Sequence, residues 1–189
     1  MKFKKLYIFL IFILMVFTAC ENKGSIDENV IVDSTKRKAS TQYELKLKTT
    51  NNKQITIVIE NGLLKLKEFP NKVVLLDFWA TYCPPCKAEI PHLINLQNRY
   101  KNDLIIIGLI VEKNKSNEIL NNFIKEYKIN YPITNSNGNF ELASIVGGVS
   151  SIPAMFLFDK SGKMVMNYVG IVYEEILDND IKRALSKDI

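Results

Sequence analysis

The chain is predicted to be an α/β protein, a mixed central sheet with helices on both faces, and three features of its 189 residues carry that prediction. Two short, almost unbroken apolar runs, Val73–Phe78 and Leu104–Val111, have the composition of strands buried on both sides. A stretch with helical spacing of apolar residues follows each run. Further on, Ala154–Phe158 and Met164–Val169 flank Lys160-Ser161-Gly162-Lys163, the pattern of an antiparallel hairpin, and a final helical stretch comes after them. Strand-helix-strand-helix followed by a hairpin and a helix makes a sheet of parallel and antiparallel pairs that must be covered on both faces.

Composition bounds the function. With 47% apolar residues the chain can bury a substantial core without a disulfide framework, and three cysteines are too few to supply one. The formal charge is +5, but Lys2, Lys4 and Lys5 lie among the first 20 residues. Without them 22 of the 25 basic residues face 20 acidic ones, which describes a solvated lysine-rich surface and argues against nucleic acid as a partner.

Residues 1–20 have a positive start, an apolar stretch from Leu6 to Phe17 and a small residue before Cys20, the layout of a secretory signal. The stretch is short for a membrane span, which takes about 20 residues. Phe17-Thr18-Ala19-Cys20 resembles the lipobox of bacterial lipoproteins, with Phe17 in place of the usual aliphatic residue. That resemblance makes Cys20 the expected lipidation site, with an uncleaved signal anchor as the alternative. In both cases the rest of the chain is expected outside the cytoplasm, tethered to the membrane, because positive flanks stay inside. Residues 21–41 are polar and aperiodic and are expected to form a flexible linker, which leaves 42–189 as the folded domain.

Within that domain, Tyr43, Leu45 and Leu47 alternate with polar residues as in a strand, Thr50–Lys53 is turn-like, and Ile55–Ile59 is the second strand of a hairpin. Residues 61–72 read as a connection. The helix after Val73–Phe78 is expected to run to about Tyr100, with Pro84 and Pro85 in its first turn and a kink at Pro91. An amphipathic helix is expected over about Asn117–Tyr127, a short strand over Ile129–Ile133, a turn at Asn135–Asn139 and a short helix over Phe140–Ile145 that ends at Gly147-Gly148. The last helix should span about Tyr173–Leu185.

The chemistry is concentrated at Cys83-Pro84-Pro85-Cys86. A C-x-x-C pair is compatible with half a zinc site, a haem attachment point or a redox dithiol. Haem attachment needs His after the second cysteine, where Lys87 stands, and a structural zinc wants four ligands where only Cys83, Cys86 and His92 are at hand. No metal or cofactor is therefore expected, and His92 reads as an ordinary helix residue. A dithiol has positive support. Cys83 would stand at a helix N-terminus, where free N–H groups and the helix dipole favour a thiolate, and Cys86 one turn on would resolve a mixed disulfide.

The stretch Asp77-Phe78-Trp79-Ala80-x-x-Cys83-Pro84-Pro85-Cys86 resembles the active-site strand and turn of thioredoxin-like proteins. The N-terminal hairpin, the extra segment around Asn114–Phe140 and Glu89-Ile90-Pro91 resemble its membrane-tethered TlpA/ResA-type branch, over about Tyr43 to Leu185. The resemblance implies a thioredoxin fold with a TlpA/ResA-type central insertion, and a Cys83–Cys86 redox disulfide. Pro153, in Ser151-Ile152-Pro153-Ala154, matches the family's cis-proline, which faces the cysteines; a plain strand-entry proline is the alternative. Asp77 matches the buried proton acceptor of thioredoxins, or else points out of the sheet. Glu89 matches an active-site glutamate of the ResA type, or else faces solvent. Trp79 matches the aromatic beneath the site and serves equally as core. Tyr82 stands where the family usually has Trp, with a ring that can still wall the site, and Ile152 replaces the Thr common in the ResA branch.

By resemblance, then, the expected activity is reduction of disulfides in envelope proteins, with apocytochrome c the most specific candidate substrate and a membrane thiol carrier of the CcdA/DsbD kind as electron donor. A protein disulfide oxidase or isomerase would use the same cysteines at a higher potential, within a span of about −270 to −120 mV for related folds. A copper or thiol-binding module of the same fold is the non-catalytic alternative.

Overall fold

A computed structural model describes residues 42–186. The expectations for Cys20, the signal and the linker lie outside the described residues. The order is β1 (Tyr43–Lys48), β2 (Gln54–Glu60), β3 (Leu63–Leu66), β4 (Val73–Trp79), α1 (Pro84–Arg99), β5 (Leu104–Ile110), α2 (Asn117–Glu126), β6 (Ile133–Thr134), α3 (Gly138–Ile145), β7 (Ala154–Phe158), β8 (Met164–Val169) and α4 (Glu174–Leu185).

The main sheet has strand order β6-β5-β4-β7-β8, with β4, β5 and β6 parallel and β7 and β8 antiparallel to their neighbours. Strands β4 and β5 are buried along their whole length, as their apolar runs require. Alternation along β4 sorts the core into two layers. Val73, Leu75 and Trp79 face a layer built with α1, α2 and α4, through Ile90, Leu93, Leu96, Leu120, Leu177 and Ile181. Val74, Leu76 and Phe78 face the opposite layer, closed by β1–β3 and by Leu142 and Ala143 of α3.

The N-terminal hairpin is in fact a three-stranded antiparallel sheet, because β3 forms inside the expected connection. Its turn is Asn61-Gly62, both at positive φ (53° and 78°), the backbone that a tight two-residue hairpin needs and that Asn-Gly supplies. Leu64 donates its N–H to Gly162 O at 2.8 Å, which ties β3 to the β7–β8 turn. A Cβ on Gly162 would lie 2.5 Å from Leu64 O, so this close approach requires glycine. At the other end Thr49 bridges Thr134, and the Thr50 N–H reaches Ile133 O at 3.0 Å, joining the two sheets.

Two more boundaries differ from expectation. Strand β6 is Ile133–Thr134 and not Ile129–Ile133, since the Ile129 N–H closes α2 on Ile124 O and Pro132 has no N–H to give a ladder. Helix α3 starts at Gly138, inside the expected turn, where Asn139 is buried and its amide donates to Ile110 O and Thr134 O, both at 2.9 Å. Helix α1 runs over Pro84–Arg99 with Pro91 inside it, close to the expected span. On its buried side the Gln97 carboxamide spans the β5 edge that short β6 leaves unpaired: it donates to Leu104 O at 3.1 Å and accepts from the Ile106 N–H at 2.8 Å. Arg99 and Tyr100 fasten α1 to α4 through Asp178, at 2.6 and 2.7 Å.

Candidate active site

Strand β4 ends at Trp79, and the chain turns through Ala80–Tyr82 into α1. Glu112, just past β5, holds that turn: its Oε2 accepts from the Thr81 N–H at 3.1 Å and the Thr81 hydroxyl at 2.7 Å, and Lys115 pairs with its other oxygen at 2.5 Å. Burial works against the Glu112 charge, but these partners outweigh it and keep the carboxyl below its ordinary range. Cys83 is the N-cap of α1, and its Sγ accepts from the Cys86 N–H at 3.3 Å. Pro84 and Pro85 fill the first two helical positions, where a missing N–H costs nothing, and the first turn carries no acid that would oppose a thiolate.

The two sulfurs form a disulfide with Cα atoms 5.3 Å apart, and both residues are buried. The Ile152–Pro153 peptide bond is cis. Ala154 pairs with Phe78, so Pro153 comes opposite the end of β4 from which the cysteine turn departs. Ile152 packs half-buried against the layer that contains Cys83 and Cys86. His92 lies away from the sulfurs on the solvent side of α1, with Nδ1 3.4 Å from Glu174 Oε2.

Both expected carboxylates are inside the protein. Asp77 is 3% exposed and paired in register with Gly108 on one side and Met155 on the other. Strand alternation puts its side chain beneath α1 with Val73, Leu75 and Trp79, so the outward-pointing alternative is excluded. Glu89 is 1% exposed, not solvent-facing, because its Oε1 accepts the Val172 N–H at 2.7 Å and draws the loop before α4 over it. Burial pushes the Glu89 carboxyl up to about 7, partly opposed by the Val172 N–H. It pushes Asp77 well above its ordinary value, and the Glu89 charge adds to that.

Trp79 belongs to the same core layer as Cys83 and Cys86. It is fully buried, and its ring packs on Phe123 of α2 at 5.3 Å between centroids. Lys87, directly after Cys86, sits 5.9 Å over the same Phe123 ring. Tyr82, directly before Cys83, is 67% exposed.

Four contributors escaped the sequence reading: Glu112, Phe123, Tyr131 and Gly108. Only Gly108 left a readable signal, a lone glycine inside the aliphatic strand Leu104–Ile110, which marks a close approach. A Cβ there would lie 2.8 Å from Trp79 Nε1 and 2.4 Å from Ile133 Cδ1. Among the described residues no group of three or more His, Cys, Asp or Glu side chains is arranged to hold a metal ion.

Comparisons with known proteins agree with this geometry. A model of the Redoxin family matches residues 59–185. The chain is 31% identical over 127 residues to the thiol-disulfide oxidoreductase ResA of Bacillus anthracis, covering 66% of this chain and 70% of that protein. Among solved structures, the exposed lipoprotein thioredoxin Etrx1 of Streptococcus pneumoniae superposes with a TM-score of 0.59 at 23% identity, covering 75% of this chain and 99% of that one. StoA of Bacillus subtilis gives 0.57 at 22% identity, covering 72% and 95%. Those two likenesses establish the thioredoxin-like fold.

Proposed function

The chain belongs to the Redoxin family and is a thiol-disulfide oxidoreductase of the ResA type, and from that premise we propose that it is a membrane-tethered reductant of disulfides in envelope proteins. The observation that carries the reading is a buried Cys83–Cys86 pair at an acid-free helix N-terminus, on the same core face as two carboxyls whose burial moves them toward neutral pH. In the reduced enzyme the Cys83 thiolate, favoured by the α1 dipole, attacks one sulfur of a substrate disulfide. The Cys83–substrate bond forms, the substrate S–S bond breaks, and one substrate sulfur leaves as a thiolate that takes a proton from solvent. Cys86 then gives its thiol proton to the Asp77–Glu89 carboxyl pair and attacks Cys83 Sγ. The enzyme disulfide forms and the second substrate sulfur leaves, so two electrons have passed to the substrate. Cis-Pro153, at the end of β4, is placed to meet the backbone of the bound segment.

The signal layout of residues 1–20 supports a lipid tether at Cys20 and an extracytoplasmic site. In that compartment disulfides form spontaneously, and a reductant needs a thiol donor that crosses the membrane, of the CcdA/DsbD kind. Apocytochrome c, whose haem-binding cysteines must be reduced before attachment, is the candidate substrate.

The test is a Cys86→Ala variant expressed in the envelope, together with a redox titration of the wild-type protein. The variant should accumulate mixed disulfides through Cys83 with a small set of envelope proteins, and the potential should lie nearer −270 than about −120 mV. No trapped partner would overturn the exchange mechanism. A potential at the upper end would make the protein an oxidase or isomerase, and tight copper binding by the reduced form without exchange would make it a binding module.

A further inference from the structure

Among the described residues four buried side-chain atoms lack a hydrogen-bond partner in the protein: Asp77 Oδ1, Trp79 Nε1, Glu89 Oε2 and the Tyr131 hydroxyl. They belong to one place. Asp77 and Trp79 are two residues apart in β4 and share its α1-facing side. Gly108, the register partner of Asp77, has Trp79 Nε1 2.8 Å and Tyr131 Cε2 3.5 Å from the position its Cβ would take. The Glu89 charge acts on Asp77, and the charges of both acids act on Tyr131. Two of the atoms belong to donors, an indole N–H and a phenol O–H, and two to carboxyl acceptors. Donors and acceptors therefore match in number and kind, where isolated buried polar atoms would each cost stability.

We propose that Tyr131 is a positioning residue for the redox reaction, its hydroxyl donating to the Asp77–Glu89 carboxyl pair through one bridging water. Burial and the Glu89 charge both work against ionising Asp77, so the pair gives up a second proton less readily than its first. A donor from Tyr131 favours the singly ionised pair, which is the form that accepts the Cys86 proton. The phenol itself stays protonated: burial pushes it well above its ordinary value, and the Asp77 and Glu89 charges add to that. Cys83 and Cys86 belong to the same core layer as Tyr131. Tyr131 also lines a cleft of about 520 Å³ with Lys53 of the β1–β2 turn and Glu68 just after β3. The lack of a side chain at Gly108 leaves the space beside Trp79 Nε1 open.

The proposal rests on the carboxyl pair taking the Cys86 proton, and one experiment separates the two. The reduced full-length protein is mixed with an aryl disulfide that releases thionitrobenzoate: Cys83 attack releases one equivalent, and Cys86 attack on the resulting mixed disulfide releases the second. In Tyr131→Phe the first release should match wild type, while the second should slow about tenfold at pH 7, with its pH midpoint raised by about one unit, the effect of removing one hydrogen bond to a charged group. If the ring only packs, Tyr131→Phe removes an unpartnered hydroxyl, stabilises the protein and leaves the pH profile superimposed on wild type; that result overturns the proposal. Asp77→Asn and Glu89→Gln are run alongside. If they slow the second release and Tyr131→Phe does not, the role of Tyr131 falls alone; if neither slows it, the proton-accepting role of the pair falls with it. Should Tyr131→Phe fail to fold, infrared difference spectra of ring-labelled wild type on reduction replace it. A phenol C–O band that shifts as the carboxyls change charge supports the proposal, and an unresponsive band overturns it.

Discussion

Replacing Glu89 by Gln keeps the oxygen that accepts the Val172 N–H and abolishes the titration. In the folded protein Glu89 holds its proton up to about 7, against an ordinary value of 4.5. Below pH 4.5 the acid is neutral in both folded and unfolded chains, and its contribution to stability is at its fullest. Between 4.5 and 7 the unfolded chain releases the proton first, so stability falls as pH rises through that window and is constant above it. At about 1.4 kcal/mol per pH unit the loss totals about 3 kcal/mol. Gln resembles the protonated acid: both place an unshared donor or oxygen where Glu89 Oε2 has no protein partner. At pH 4.5 the variant and wild type should therefore have nearly equal stability, and at pH 9 the variant should be the more stable by about 3 kcal/mol, or about 10 °C in Tm for a chain of this size. Loss of the Glu89 charge also lowers the cost of ionising Asp77, which moves the difference in the same direction. Urea denaturation of the disulfide form, followed by tryptophan fluorescence at both pH values, measures it. A variant equally stable at pH 9, or destabilised at both pH values, would refute the idea that a buried, proton-retaining carboxyl lies under the loop before α4.

Gly108→Ala should cost about 1–3 kcal/mol, since its Cβ would press within 2.4 Å of Ile133 Cδ1 and 2.8 Å of Trp79 Nε1, and it should also redden or quench the single tryptophan's emission. Asn139→Ala should cost about 3 kcal/mol, because it strips the donors from Ile110 O and Thr134 O inside the core; hydrogen exchange should then show early opening at the β5–β6 end while β4 and β7 stay protected.

The redox pair, the parallel buried strands and the proline at the entrance of β7 were all readable in the chain, because each rests on local chemistry. Two cysteines a turn apart need only a helix start. A strand buried on both faces announces itself by composition, as Val73–Leu76 and Leu104–Ile107 do. Strand β3 has a local mark of its own: Asn61-Gly62 between Ile59 and Leu63 is a strong hairpin signal, though Leu63–Leu66 is too short to show an alternation.

The carboxyls and their surroundings are another matter. Whether Glu89 faced water or the core depended on the Val172 N–H, 83 residues further on, which closes over it. Tyr131 carries no local mark, because it lies outside the regular elements and joins the core layer of the cysteines only on folding. The chain by itself thus determined which atoms exchange electrons, since that needs neighbouring residues alone. Only the tertiary structure decided which groups surround the proton. A buried acid takes its pKa from solvent exclusion and from partners that folding brings in from distant parts of the sequence.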